Sequence, residues 1–187
     1  MDRMVVVVSG PESSGKSQLC QELSAALSLP WVKEYARSYL EQYGPNYDFA
    51  TFLKIYQGHI EHQRKAIESS QAPLIFLDTD SVHYQVWCQR VFKQSNSIIG
   101  SQMAQEAHHH YLLCKPDLPW VADPLRVNPS DRDQLFLEYQ EIIQSRQRPM
   151  ALVSGQKKER LSNALDALYS FDLADSLKTQ IERFRKY

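Results

Sequence analysis

The sequence predicts a three-layer α/β sandwich in which a five-stranded parallel sheet is flanked by helices. Three observations predict it. Five short apolar runs lack polar alternation, the pattern of strands buried on both faces. Stretches of helical apolar spacing lie between the runs. A glycine-bearing loop joins the first run to the first helix, as in parallel sheets linked by right-handed crossovers.

The runs are Met4–Val8, Trp31–Glu34, Leu74–Leu77, Tyr111–Cys114 and Met150–Val153. A first helix is expected over Gln18–Leu27. Phe49, Phe52, Leu53, Tyr56, Ile60 and Ile67 form the stripe of a second, with Asp48 placed to cap it. Asn128-Pro129 reads as an N-cap followed by a first helical position, opening a helix with Leu135, Phe136, Tyr139, Ile142 and Ile143 on one face. Two further stripes follow, Leu161/Ala164/Leu165/Leu168 and Leu173/Leu177/Ile181/Phe184. With no repeat or low-complexity segment, a single domain over residues 1–187 is expected.

Composition excludes several classes. Among 187 residues, 21 Lys+Arg balance 22 Asp+Glu, a poor match to general nucleic-acid binding. A hydrophobic fraction of 43% with 23% charged residues excludes disorder, and no apolar run is long enough to span a membrane. Cys20, Cys88 and Cys114 stand far apart, which argues against a disulfide framework and fits a cytoplasmic protein.

Gly10-Pro-Glu-Ser-Ser-Gly15-Lys16-Ser17 fits the GxxxxGK[ST] pattern, between a predicted strand and a predicted helix. Such a loop turns its backbone N–H groups around a phosphate, and the helix N-terminus adds positive potential. Gly10 and Gly15 permit backbone geometry that a side chain obstructs. Lys16 supplies a charge for the β- and γ-phosphates and Ser17 a hydroxyl for Mg²⁺, while Ser13, Ser14 and Gln18 complete the nucleotide-binding set. The fold is therefore of the P-loop NTPase type, with ATP and Mg²⁺ as the implied ligands.

Further residues favour a small-molecule kinase. Asp78 and Asp80 follow the third strand; alternation aims them to the same side, into the crevice where ligands bind. One is suited to hold Mg²⁺ through water, for which Asp78 is taken, and the other to accept hydrogen bonds from substrate hydroxyls. Glu34 at the end of the second strand is placed to position or deprotonate an attacking hydroxyl, and Arg37 to steady the transferring phosphoryl group. Arg126 and Arg132 bracket Pro129 in an expected helical lid at roughly residues 120–135. Arg160 lies after the fifth strand, in a segment that can face the nucleotide base.

The segments GPESSGKS, WVKEYAR, LDTD…VW, CKPDLPWVADPLR and SGQKKERL occur in the order found in the ribosylnicotinamide kinase domain of NadR-like proteins, which this chain resembles from about Val5 to Leu168. The most specific part is Pro116–Arg126. The resemblance implies ATP-dependent phosphorylation of nicotinamide riboside at its 5′-hydroxyl. It also implies Lys16 and Ser17 on ATP·Mg²⁺, Glu34 as base, Asp80 as ribose ligand, Asp123 on the substrate side, and Arg126 and Arg132 in the lid. Trp87, Trp120 and Tyr39 are candidates to sandwich the cationic pyridinium ring. Many relatives carry a nucleotidyltransferase domain and a DNA-binding segment ahead of the kinase. This chain starts at the first strand, so the expectation is a protein that makes the mononucleotide but not NAD, with no DNA contacts of its own.

Two places depart from the family pattern: His83, where relatives often show a small hydroxyl residue, and the pair Gln57-Gly58. Changes in a pocket wall bear on specificity more than on chemistry. Two rival readings are a P-loop kinase for another nucleoside-like acceptor and a nucleotide-dependent regulatory binding protein. His108-His-His110 is read as a solvated helix end rather than a metal site, and Cys88 as a buried inert thiol.

Overall fold

The computed structural model describes residues 3–125 and 130–184. Its strands are β1 (Met4–Ser9), β2 (Trp31–Val32), β3 (Leu74–Asp78), β4 (His109–Cys114) and β5 (Met150–Val153). Its helices are α1 (Lys16–Leu27), α2 (Tyr35–Tyr43), α3 (Phe49–Ser69), α4 (Ser81–Phe92), α5 (Ser97–Gln105), α6 (Arg132–Ser145), α7 (Lys157–Tyr169) and α8 (Asp175–Phe184). The strands form one parallel sheet in the order β2-β3-β1-β4-β5.

The four valines of β1 explain the three layers. Val5 and Val7 face one core with residues of α2 to α6, while Val6 and Val8 face the other with residues of α1, α7 and α8. A central strand buried on both faces carries no polar position until its C-terminal end, where ligands meet a parallel sheet. Asp48 caps α3 as expected, its side chain accepting from the Thr51 N–H at 2.8 Å.

Several expected boundaries shift for local reasons. β2 stops at Val32, because Glu34 already occupies the N-cap position of α2. β4 begins at His109, which pairs with Val5 and is buried, so the histidine run is not a solvated helix end. The predicted cap at Asn128-Pro129 lies outside the described residues; α6 starts at Arg132 with Asp131 at its N-cap. Of the expected helical lid at roughly residues 120–135, the described residues 120–125, 130 and 131 contain no helix, and residues 132–135 belong to α6. Helix α6 is tied to α4 by Arg90, which donates to Asp131 at 2.6 Å and Glu138 at 2.8 Å. Among the described residues, no helix is long and apolar enough to cross a membrane.

Candidate active site

The phosphate loop runs between β1 and α1. Gly10 (φ +137°) and Gly15 (φ +78°) are required: a Cβ would lie 2.6 Å from the Cys114 carbonyl oxygen at Gly10 and 2.7 Å from Leu118 Cδ1 at Gly15. Ser13 also takes a positive φ, and Ser14 is fully buried. The Lys16 ammonium donates to the Pro11 carbonyl at 2.9 Å, so the lysine folds back over its own loop. Ser17 is exposed at the mouth of the loop, whereas Gln18 Nε2 bonds Glu22 along α1 rather than turning to the cradle.

Asp78 ends β3 beside this loop and is almost fully buried. Burial, reinforced by the neighbouring Glu34 charge, pushes its carboxyl up to about 6, against the opposing pull of Lys16 and a hydrogen bond with Ser17. Four predicted residues, Lys16, Ser17, Glu34 and Asp78, thus feel one another at one end of the sheet. Asp78 Oδ1 is buried with no hydrogen-bond partner. A buried carboxylate oxygen of that kind beside a serine hydroxyl suits a hard divalent cation such as Mg²⁺.

Asp80 is not at this mouth, and the shared direction expected for Asp78 and Asp80 does not hold. β3 ends at Asp78, and Thr79 adopts φ +72°, a left-handed conformation unusual for a β-branched residue. The strand alternation breaks there. The turn is held by Gln63, whose Nε2 donates to the Thr79 carbonyl at 2.8 Å, and by the Thr79 N–H donating to the Val8 carbonyl. Asp80, 0% exposed, turns inward: Oδ1 accepts from the Val82 N–H as the cap of α4, and Oδ2 bonds His109 Nδ1 and the Tyr111 hydroxyl. Its carboxylate is taken up by the interior rather than offered to a ribose.

Asp80, Glu106 and His109 bring carboxylate and imidazole atoms within 4.8 Å of one another. Glu106 Oε1 accepts from Ser81 at 2.7 Å and Gln102 at 3.1 Å, while burial and the Asp80 charge push its carboxyl up to about 7. The sign follows from linkage. A group raised in the folded state above its ordinary value near 4.5 contributes stability that is fully present below that value and lost as pH rises through 7. Wild type is therefore expected to lose on the order of 2 kcal/mol relative to Glu106→Gln between about pH 5 and about pH 8, measured by urea unfolding. Parallel stability curves contradict this assignment.

The segment before α6 lies on the phosphate loop. The Val121 N–H donates to Ser13 Oγ at 2.9 Å, and Arg132 donates to the Leu118 carbonyl at 2.9 Å and reaches the Ser13 carbonyl at 3.5 Å. Arg132 also covers the Trp120 ring at 5.8 Å. Arg37 and Asp123, expected on phosphate and substrate respectively, are paired with each other at 2.8 Å, and Arg37 also bonds Glu41. Arg126 lies outside the described residues.

The candidate aromatics occupy different surroundings. Trp87 packs edge-on against Tyr47 and Phe52 in the core and donates to the Tyr47 hydroxyl at 2.7 Å. Tyr39 meets the rings of Tyr35 and Tyr43. The departure at Gly58 has a steric cause, since a Cβ there would lie 2.5 Å from the Tyr35 ring.

Arg160 is buried against the phosphate loop, its guanidinium committed to protein acceptors. Its guanidinium donates to the carbonyls of Ser14 (2.5 Å), Gly155 (2.8 Å) and Lys115 (3.2 Å) and to Asp117 at 2.7 Å. Asp117 in turn accepts from the Gly155 N–H. Truncation in Arg160→Met leaves these acceptors unanswered. A loss of about 3 kcal/mol is expected in urea unfolding, with weakened ATP binding in a titration of the same variant. Unchanged stability and affinity would refute a supporting role.

Sequence reasoning misses Gln63, Glu106, His109 and Asp117, which act through contacts between distant elements that no local spacing reports. His83 is visible only as a departure. Its Nδ1 lies 2.7 Å from the Tyr139 hydroxyl, and its Nε2 lies 3.7 Å from Glu34.

Two curated relatives are both named Trifunctional NAD biosynthesis/regulator protein NadR, from Escherichia coli (strain K12) and Salmonella typhimurium (strain LT2). Each is 28% identical, over 142 and 133 residues, covering 74% and 69% of this chain. The alignments cover 34% and 32% of those proteins, so the chain spans about a third of their length. Among solved structures, NadR protein in complex with NR matches with a TM-score of 0.75 at 19% identity, over 90% of this chain and 51% of that one. Shikimate kinase from Aquifex aeolicus matches with a TM-score of 0.51 at 19% identity, over 88% and 96%. These likenesses establish the fold, a parallel sheet of P-loop type. A family model described as an AAA domain matches residues 5–160, from β1 through the phosphate loop and Asp78 to Arg160, and the chain belongs to that family.

Proposed function

We propose that the protein is an ATP-dependent kinase that phosphorylates the 5′-hydroxyl of nicotinamide riboside, giving nicotinamide mononucleotide. The observation that carries this reading is the meeting of a complete phosphate loop with two carboxylates, Asp78 and Glu34, at one end of the sheet. The nicotinamide riboside acceptor is supported by the similarity to NadR, one structure of which holds NR.

In this reading the loop N–H groups hold the triphosphate, and Lys16 moves from the Pro11 carbonyl to the β- and γ-phosphates. Asp78 and Ser17 would hold Mg²⁺, which supplies charge neutralisation to the phosphate oxygens. Glu34 orients the 5′-hydroxyl and accepts its proton as the oxygen bonds to phosphorus and the bond to the β-phosphate bridging oxygen breaks, releasing ADP. Arg132, already on the Ser13 and Leu118 carbonyls, excludes water over the loop. The negative charge of Glu34 also favours a cationic pyridinium nucleoside over neutral ones.

The test is ADP release with Mg·ATP and a panel of nucleosides against a blank without acceptor. Nicotinamide riboside is expected to stimulate release most strongly. Stimulation by another nucleoside alone overturns the acceptor. A flat response with ATP bound overturns the nicotinamide riboside kinase and points to an acceptor outside the panel or to a regulatory nucleotide-binding protein.

A further inference from the structure

We propose that His83 and Tyr139 are positioning residues for Glu34, acting as a chain in which the Tyr139 hydroxyl donates to His83 Nδ1 and His83 Nε2–H is directed at the Glu34 carboxylate. The proposal rests on the reading of Glu34 as the acceptor-side base.

His83 Nδ1 lies 2.7 Å from the Tyr139 hydroxyl, and Nε2 lies 3.7 Å from Glu34 Oε1, within electrostatic reach. The imidazole is walled in by Tyr84, edge-on at 5.6 Å, by Trp87 at 5.9 Å and by the stacked Tyr139 ring at 6.2 Å. Tyr139 is buried, whereas Glu34 is only half-buried at the mouth of the site. Burial, with Lys16 acting in the same direction, pushes His83 down to about 3, so the ring is neutral and carries one N–H.

The tautomer then follows from electrostatics. An Nδ1–H ring would turn the Nε2 lone pair towards a carboxylate; an Nε2–H ring turns a donor towards it. Nδ1 is therefore the acceptor, and Tyr139, whose phenol burial keeps protonated, is the donor. The chain spans three elements: α6 carries Tyr139, α4 carries His83, and Glu34 stands at the N-cap position of α2. The Arg90 clamp on Asp131 and Glu138 holds α4 and α6 together. No proton travels along the chain. Its effect is to fix the carboxylate and favour its ionised form.

Among the described residues, the charged groups facing these three include Lys16, Asp78, Asp80, Glu12 and Glu138, and the test variants keep all of them. In His83→Ala, turnover is expected to fall about 10-fold with KM for ATP within about twofold, and the acid limb of the turnover–pH profile to move to higher pH. His83→Gln, whose amide can donate to Glu34, recovers most of the rate. Tyr139→Phe lowers turnover less, and its effect does not multiply with that of His83→Ala. Nitrogen NMR of the full chain reads the tautomer without any turnover, and Nε2–H is expected.

An Nδ1–H tautomer, or His83→Ala with unchanged turnover and pH profile, overturns this inference and leaves the kinase reading standing. Wild-type protein that turns over no nucleoside overturns the kinase reading, and this inference with it.

Discussion

Lys16→Ala is expected to lower turnover by about 1,000-fold or more while leaving the fold intact. Phosphoryl transfer asks little covalent work of the protein, so catalysis resides in placing charge where it develops on the γ-phosphate. Among the described residues the Lys16 ammonium donates to the Pro11 carbonyl, an interaction worth about 1 kcal/mol to stability. The phosphate cradle of Gly10 to Gly15 is backbone and survives the substitution. Steady-state kinetics with a urea-unfolding control check this. Turnover within about tenfold of wild type would mean that the loop does not hold the reacting phosphate.

Glu34→Gln carries the second large effect: turnover is expected to drop by about two orders of magnitude or more, with KM for ATP nearly constant. The amide fills the same volume at the N-cap of α2 but cannot accept the hydroxyl proton. The substitution also acts on Asp78, whose carboxyl is pushed up to about 6 first by burial and then by the Glu34 charge. Removing that charge lowers Asp78, so in the absence of nucleotide the variant should keep this carboxylate ionised to lower pH. Carbon NMR of Asp78 reads this directly. Near-normal turnover with an unchanged pH profile removes Glu34 from the role of base.

The two effects spring from the same feature of the fold. β1 and β3, buried on both faces, end together at Ser9 and Asp78, and the chain leaves them in opposite ways. After β1 it wraps the phosphate loop around Gly10 and Gly15, braced by Arg160, which donates to the Ser14 carbonyl, and by Leu118 beside Gly15. After β3 it breaks alternation at Thr79, so Asp78 lies by Lys16, Ser17 and Glu34 while Asp80 turns to His109 and Tyr111. Gln63 on α3 holds that break.

Strand runs and apolar stripes make the sheet and most of the helices legible, because buried strands and amphipathic helices write their periods into the chain. The phosphate loop is legible for a related reason: its backbone geometry demands glycine at fixed spacing. Asp80 is misread from sequence because alternation holds only while a strand continues, and one left-handed residue ends it. The support that Arg160 gives the loop is not legible, because sequence places it after β5 but cannot say that its guanidinium reaches the Ser14 carbonyl. The pairing of Arg37 with Asp123 joins positions 86 residues apart, which no local pattern reports.

The measurement that tests the central claim most directly is phosphorus NMR of the complete reaction of the protein, Mg·ATP and nicotinamide riboside. The expected result is one phosphomonoester on the 5′-oxygen of the riboside for each ADP formed, absent with Lys16→Ala. ADP accompanied only by inorganic phosphate, at a rate indifferent to the riboside, would contradict it.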